Sequence, residues 1–431
     1  MSDHTRLSPI RVLKRSMAPY LGLPRSVYTL FIATVVNGAG IFVFPFMALI
    51  LTRRFGLSEK ETGDIVFLTT VAYVPGTLLG GRLADRFGRK RVQMASQLLC
   101  GALFIPCGFL DDPYLIAGFI IASVFFDGVT DPARTAMTMD VTTPENRQGA
   151  FSLIYLGHNL GFAIGQIIAG FLFASAPSWM FWGNAMAVGA SLVLVGLFLP
   201  ESRPSAEEEQ ASLDTDSCEK AHEGSLWSAL RSRPTLLVFA ALTTFYGFSY
   251  AQHRFAMPLQ ATSLFGDSGA RLYGFMMTLN AVCVVALTTP LVALTRRVRP
   301  VFNVALAGAL YAVGFGMLAL ARSPWLFFAS TVLWTVGEIV QATNESVYVS
   351  NHTPMSHRGR FNAVLPLISG LGFSLSTPIA GRIADRSGLS AVWIVVAAST
   401  GLAAVGVWTL GRYEKRTAPA GRAGTGDEAS V

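Results

Sequence analysis

Few ionisable side chains fall inside the long apolar runs of this chain, and those few are where chemistry would sit. Glu338 lies between Val336-Gly337 and Ile339-Val340, a carboxyl in apolar surroundings. A group so placed can carry a proton as its surroundings change, or it can be a structural carboxyl permanently paired to an arginine. Glu345 follows on the same run, where it would neutralise a cation, extend a proton path or lie at the end of the helix. Asp127, Asp131 and Arg134 form a second group, spaced so that all three share one helical face. They read equally as part of a proton path and as an internal Asp131–Arg134 pair. The neighbouring Pro132 interrupts the backbone ladder, which is tolerated where a helix bends or lines a cavity.

The elements that position these groups follow from composition. The chain has 431 residues, 52% of them hydrophobic and only 14% charged, and a mean hydropathy of +0.48. That is too apolar for a water-soluble fold, because each bilayer-spanning helix needs about 20 apolar residues. The expected fold is an all-α polytopic membrane protein with 12 transmembrane helices in two pseudo-symmetric six-helix bundles. Spans are expected near 27–52, 63–84, 92–110, 114–141, 148–174 and 179–200, then near 234–263, 270–294, 300–321, 324–351, 361–382 and 390–411. This divides the chain into an N-terminal segment 1–26, a bundle 27–200, a linker 201–233, a second bundle 234–412 and a tail 413–431. The linker is rich in Glu and Asp and poor in large apolar residues, so it is expected to act as a flexible tether.

Orientation follows from the turn Gly81-Arg82-Leu83-Ala84-Asp85-Arg86-Phe87-Gly88-Arg89-Lys90-Arg91. If this basic turn is cytoplasmic and the helices alternate, 24 Lys and Arg fall inside, 7 outside and 2 within spans. Positive charge is retained on the cytoplasmic side. Both termini and the linker are therefore expected inside a bacterial inner membrane. The same distribution accounts for the net charge of +7 without nucleic acid. No removable signal peptide is apparent, and the first span is expected to serve as the insertion signal. Four scattered cysteines give no ligand cluster, so no metal is expected.

The halves are related. Thr143-Pro144-Glu145-Asn146-Arg147-Gln148-Gly149-Ala150-Phe151 and Thr353-Pro354-Met355-Ser356-His357-Arg358-Gly359-Arg360-Phe361 lie 210 positions apart, and each precedes a glycine-rich helix. A duplicated six-helix unit places a pathway at the interface between halves. The segment Gly381-Arg382-Ile383-Ala384-Asp385-Arg386-Ser387-Gly388 copies the basic turn, but its shift is 300 and helix parity puts it outside. It is read as a look-alike.

On these residues the chain resembles the major facilitator superfamily over essentially all its spans, the turn at 81–91 resembling that family's signature between the second and third helices. Gly337-Glu338-Ile339-Val340, Asp140 and the Pro144-Glu145-Asn146-Arg147 corner resemble proton-driven multidrug exporters of the LmrP type. The resemblance implies two bundles rocking around a central cavity, with Gly81, Asp85, Arg86, Gly88, Arg89 and Asp140 acting as a cytoplasmic latch. It also implies a salt bridge between Asp140 and Arg89. Two departures stand out. In Gly157-His158-Asn159-Leu160-Gly161-Phe162-Ala163-Ile164-Gly165-Gln166, Phe162 replaces the antiporter motif's proline and Gln166 its glycine. Arg254, in Gln252-His253-Arg254-Phe255-Ala256-Met257-Pro258, stands where the LmrP type carries an acid.

The expected function is proton-coupled export of drug-like or amphiphilic compounds by alternating access. The alternative is a symporter or exporter for one metabolite, such as a siderophore, sugar or amino-acid derivative. Proton coupling is assigned to Glu338, Asp131, Asp127 and Glu345. A substrate cavity is assigned to Arg134, Tyr155, His158, Phe245, Tyr246, Tyr250, His253, Arg254 and Trp334, with Phe42, Phe46 and Met276 as further candidates. His158 would face that cavity if Gly157, Gly161 and Gly165 line a helix contact. The proton is the coupling ion and no cofactor is expected. No ATP-binding loop, HExxH or serine-nucleophile elbow occurs, so the chain is not read as an enzyme. The partners are small-molecule substrate, protons and lipid, and the chain is expected to be a monomer.

Overall fold

The computed structural model describes residues 20–200, 234–352 and 358–417, and every helical or strand element among them is a helix. The expected linker lies outside the described residues, as do residues 1–19 and 418–431 of the two tails. In chain order the helices are α1 (Arg25–Ala39), α2 (Val43–Leu49), α3 (Glu59–Phe87), α4 (Arg89–Cys107), α5 (Pro113–Asp140), α6 (Pro144–Ser175) and α7 (Ser178–Phe198). They continue as α8 (Pro234–Ala251), α9 (Ala256–Phe265), α10 (Asp267–Thr295), α11 (Pro300–Gly316), α12 (Pro324–His352), α13 (Arg358–Ser387) and α14 (Leu389–Thr417). Ten helical stretches among the described residues are long and apolar enough to cross a membrane. The protein is a multi-pass membrane protein.

Two of those stretches are not the single helices expected from the sequence. Arg25–Arg54 breaks between α1 and α2 and ends in the π-turn Ile50–Arg54. Pro234–Phe265 breaks at residues 252–255, between α8 and α9. A proline ring clashes with the carbonyl four residues before it. Pro45 and Pro258, each the third residue of α2 and α9, put that clash on Ile41 and Arg254. A hydropathy profile registers only how apolar each residue is and passes over the interruption.

The described chain forms two compact units. Residues 20–57, 65–200 and 267–281 make the first, and 58–64, 234–266, 282–352 and 358–417 the second. Helices α3 and α10 therefore each contribute to both. Within the first unit α1 and α6 meet along small residues. A Cβ on Gly161 would lie 2.3 Å from the Val35 carbonyl and one on Gly165 2.9 Å from that of Ala39. Glycine is what lets these backbones approach, as membrane helices do where packing replaces the hydrophobic effect. Leu30, Ala33, Met137, Val195 and Leu199 fill the space among α1, α5 and α7.

Helix starts follow local chemistry. Asp112 Oδ1 accepts from the Tyr114 and Leu115 amides at 2.8 and 3.2 Å, capping α5. Thr143 and Asn146 form a capping box at α6, with the Thr143 amide donating to Asn146 Oδ1 at 2.9 Å.

Candidate functional site

In the second unit the end of α8 delivers its polar side chains to α12. Tyr250 Oη donates to Glu338 Oε1 at 2.7 Å. One turn earlier on α12, the fully buried Trp334 stacks on His253, with centroids 5.3 Å apart and an interplanar angle of 23°. Its other neighbour is Phe315, at 5.5 Å and 11°, and Phe315 stacks in turn on Trp393 at 6.1 Å and 6°. Tyr311 lies 6.2 Å from Tyr250 and 6.1 Å from Tyr246. These rings form a continuous packed column under Glu338. Tyr246 and Trp334 are cavity residues by sequence, but both are wholly enclosed by neighbouring side chains. Trp334 also meets Tyr250 edge to face at 6.0 Å.

The break between α8 and α9 is closed by tight turns. The amides of Gln252, His253, Arg254 and Phe255 donate to Ser249, Tyr250, Ala251 and Gln252 at 3.1–3.3 Å. Both ring nitrogens of His253 are engaged. Nδ1–H donates to the Tyr250 carbonyl, and Nε2 accepts from Arg254 Nε at 3.1 Å. This pattern fits one neutral tautomer and fixes the ring beside Trp334.

Glu345 accepts from Gln341 Nε2 at 2.7 Å. Glu338, Gln341 and Glu345 are three and four residues apart, so they share a face of α12. Gln341 was missed from the sequence because only ionisable residues were sought there. Its spacing was the available signal. Tyr311 and Phe315, one turn apart on α11, were missed for a similar reason: aromatic residues are common in every span.

In the first unit Asp131 and Arg134 pair at 3.0 Å, with side chains 47% and 28% exposed. One of the two readings left open by sequence is therefore present as a contact. Asp127 is exposed on the same helix. Tyr155 and His158 are exposed on α6, while Gly157, Gly161 and Gly165 pack against α1, as their spacing implied. His158 stacks on Phe162 at 6.2 Å. Phe245 is exposed on α8, and Arg254 is half-buried. Asn37, Gln93 and Gln97 meet near Arg134 around a small polar pocket, with Gln97 Nε2 donating to Asn37 Oδ1 at 3.4 Å. Being uncharged, these amides were also passed over.

The basic turn joins α3 to α4 through Gly88 at φ +97°. Arg89 pairs with Asp140 and donates to the Ala136 carbonyl at 3.4 Å, so the turn is tied to the end of α5. Lys90, read only as an orienting charge, donates to the Gly196 and Leu199 carbonyls at 2.9 and 2.5 Å and closes the end of α7. Arg86 is exposed, and the Asp85 side chain lies outside those described. Nothing among the described residues lies within 4 Å of a Cβ on Gly81, whereas one on Gly80 would lie 2.3 Å from the Val129 carbonyl.

The departure at Gln166 has a structural reason. Its Nε2 donates to the Ile41 carbonyl at 3.0 Å, a group freed by the break between α1 and α2. From α7, Asn184 Oδ1 accepts from the Phe42 amide at 3.3 Å.

Among the described residues every element is a helix, Glu338, Glu345 and Asp131 each meet a polar partner within a span, and a basic turn joins α3 to α4, an arrangement of the membrane-transporter class. Residues 30–268 and 253–430 match the Major Facilitator Superfamily, and the chain belongs to that family. It is 22% identical over 384 residues to the MFS-type transporter YqjV of Bacillus subtilis (strain 168), covering 88% of this chain and 91% of that one. It is 23% identical over 416 residues to a Na(+), Li(+), K(+)/H(+) antiporter of Planococcus maritimus, covering 89% and 95%. Its fold is similar to that of a point mutant of the nucleoside transporter NupG, with a TM-score of 0.74 at 13% identity over 89% of this chain and 99% of that one.

Proposed function

We propose that this transporter couples proton movement to export of drug-like or amphiphilic compounds, with Glu338 as the proton carrier. The observation that carries this reading is the Tyr250–Glu338 hydrogen bond, which ties a carboxyl inside a span to a helix break. A break that moves would make or lose that bond, so proton binding and helix position become one event. Gln341 and Glu345 continue the polar face of α12 beyond Glu338. Similarity to a cation/proton antiporter supports exchange against protons. Helices α4 and α13 complete twelve spans in this reading: Lys90, Arg91, Gln93 and Gln97 lower the hydropathy of α4, and residues 363–380 of α13 carry no charge. The chain works as a monomer in a bacterial inner membrane with both termini cytoplasmic, the orientation favoured by its Lys and Arg distribution. The pair Arg89–Asp140 acts as the cytoplasmic latch.

A second reading, transport of one metabolite, is favoured by Arg254. A cation half-buried within a span suits an anionic substrate better than a cationic drug. One experiment addresses both. In proteoliposomes under a pH jump, a substrate panel is followed for the parent, Glu338→Gln and Asp131→Asn. Proton-driven flux of several amphiphiles that is lost in Glu338→Gln supports the first reading. Undiminished flux in that variant rejects Glu338 as carrier, and flux of a single anionic metabolite selects the second reading.

A further inference from the structure

The turn at 381–388 repeats the turn at 81–88 in six of eight positions, and it repeats its geometry. Helices α3 and α13 both end on the seventh residue of the segment. Gly88 and Gly388 follow at φ +97° and +82°, and their amides return to the carbonyls of Ala84 and Ala384 at 3.1 and 2.8 Å. The helix ending is thus repeated along with the letters, while the side-chain partners differ.

The second turn grips the beginning of α3, within one compact unit. Arg382 Nη1 pairs with Asp64 Oδ1 at 3.0 Å, and Nη2 donates to Asp64 Oδ2 at 3.4 Å. The Lys60 amide donates to Asp385 Oδ2 at 3.2 Å. That amide is one of the first-turn donors with no partner inside a helix, and a carboxylate there also meets the positive end of the helix dipole. Beneath the charges the backbones touch. A Cβ on Gly381 would lie 2.4 Å from the Glu59 carbonyl, and one on Gly63 2.3 Å from the Thr377 carbonyl. Bidentate pairing, a capped helix start and two glycine contacts thus meet within one short stretch of α3 and the end of α13.

We propose that Arg382, Asp385 and Asp64 form a second latch, which closes the membrane face opposite the 81–91 turn and must release when that face opens. This rests on the alternating-access reading above. Helix α3 then bears one latch at each end, so releasing one leaves the other able to hold. The Asp64 and Arg382 side chains are 40% and 46% exposed. Such a pair biases two states by at most about fivefold, which lets the latch open during a transport cycle.

The test uses the full-length chain in proteoliposomes, with its native cysteines replaced and Thr62→Cys as reporter. Thr62 is fully buried beside the latch. Labelling by a membrane-impermeant maleimide is measured in the parent and in Asp64→Asn, Arg382→Gln, Asp385→Asn and the exchange Asp64→Arg/Arg382→Asp. Each single variant is expected to label about two- to fivefold faster, and the exchange should return toward the parent rate. Equal rates in parent and single variants, or an exchange that labels as fast as its single members, would overturn the proposal. Gly381→Ala opposes closure by crowding the Glu59 carbonyl without altering a charge. It should accelerate labelling too, and an unchanged rate there counts equally against the latch. Labelling needs neither substrate nor gradient. A failure of the transport reading would instead appear as absent proton-driven flux in the parent.

Discussion

The breaks after α1 and after α8 occupy equivalent places in the two halves and share a cause, a proline at the third residue of the helix that follows. They differ in how the freed backbone is satisfied. At the first, Gln166 and Asn184 reach in from α6 and α7 to the Ile41 carbonyl and the Phe42 amide. Local turn bonds close both breaks, but at the second the side chains engage one another and α12. The first break is held by residues brought to it, and the second brings residues to a carboxyl. The same kind of break is thus satisfied by different neighbours in the two places.

This contrast can be broken at either side. The largest effect is expected from Tyr250→Phe, which removes the hydroxyl bonded to Glu338. A hydrogen bond to a charged group is worth about 1.5–3 kcal/mol, so proton-driven flux in proteoliposomes should fall by about tenfold or more, with the folded protein intact. A fall in thermal stability with flux retained would make the second break structural as well. Next comes Gln166→Gly, which leaves the Ile41 carbonyl unpaired. It should lower stability by about 1–3 kcal/mol, read by denaturant unfolding in detergent, without changing the pH dependence of transport. Asn184→Ala should act in the same direction by about 1 kcal/mol. The last change, Arg254→Gln, removes the hydrogen bond to His253 and should cost about 0.5–1.5 kcal/mol. Its readout is selectivity: competition by anionic compounds should weaken relative to neutral ones.

Much of this arrangement was legible in the sequence because a bilayer forces it. The spans, the 81–91 turn and the glycine face of α6 follow from hydropathy, charge and residue spacing. The pairing of Arg89 with Asp140 came from family resemblance and is present as a contact. The breaks were not legible because hydropathy averages over them. Gln166 appeared only as a departure from a motif, since its partner is a carbonyl, and no side-chain pattern records which carbonyls a break sets free. Segment 381–388 reads as a look-alike on its offset and its helix parity. Its partners, Lys60 and Asp64, are more than 300 positions away and carry no sequence mark of their own.

Helix α6 has a consequence for how such a protein can change. One side is committed to α1, where added carbon atoms at Gly161 or Gly165 would strike backbone. The side bearing Tyr155 and His158 is exposed and carries no such constraint. New side chains can be tried there while the frame of the unit stays as it is, so change on that side need not begin with a loss of stability.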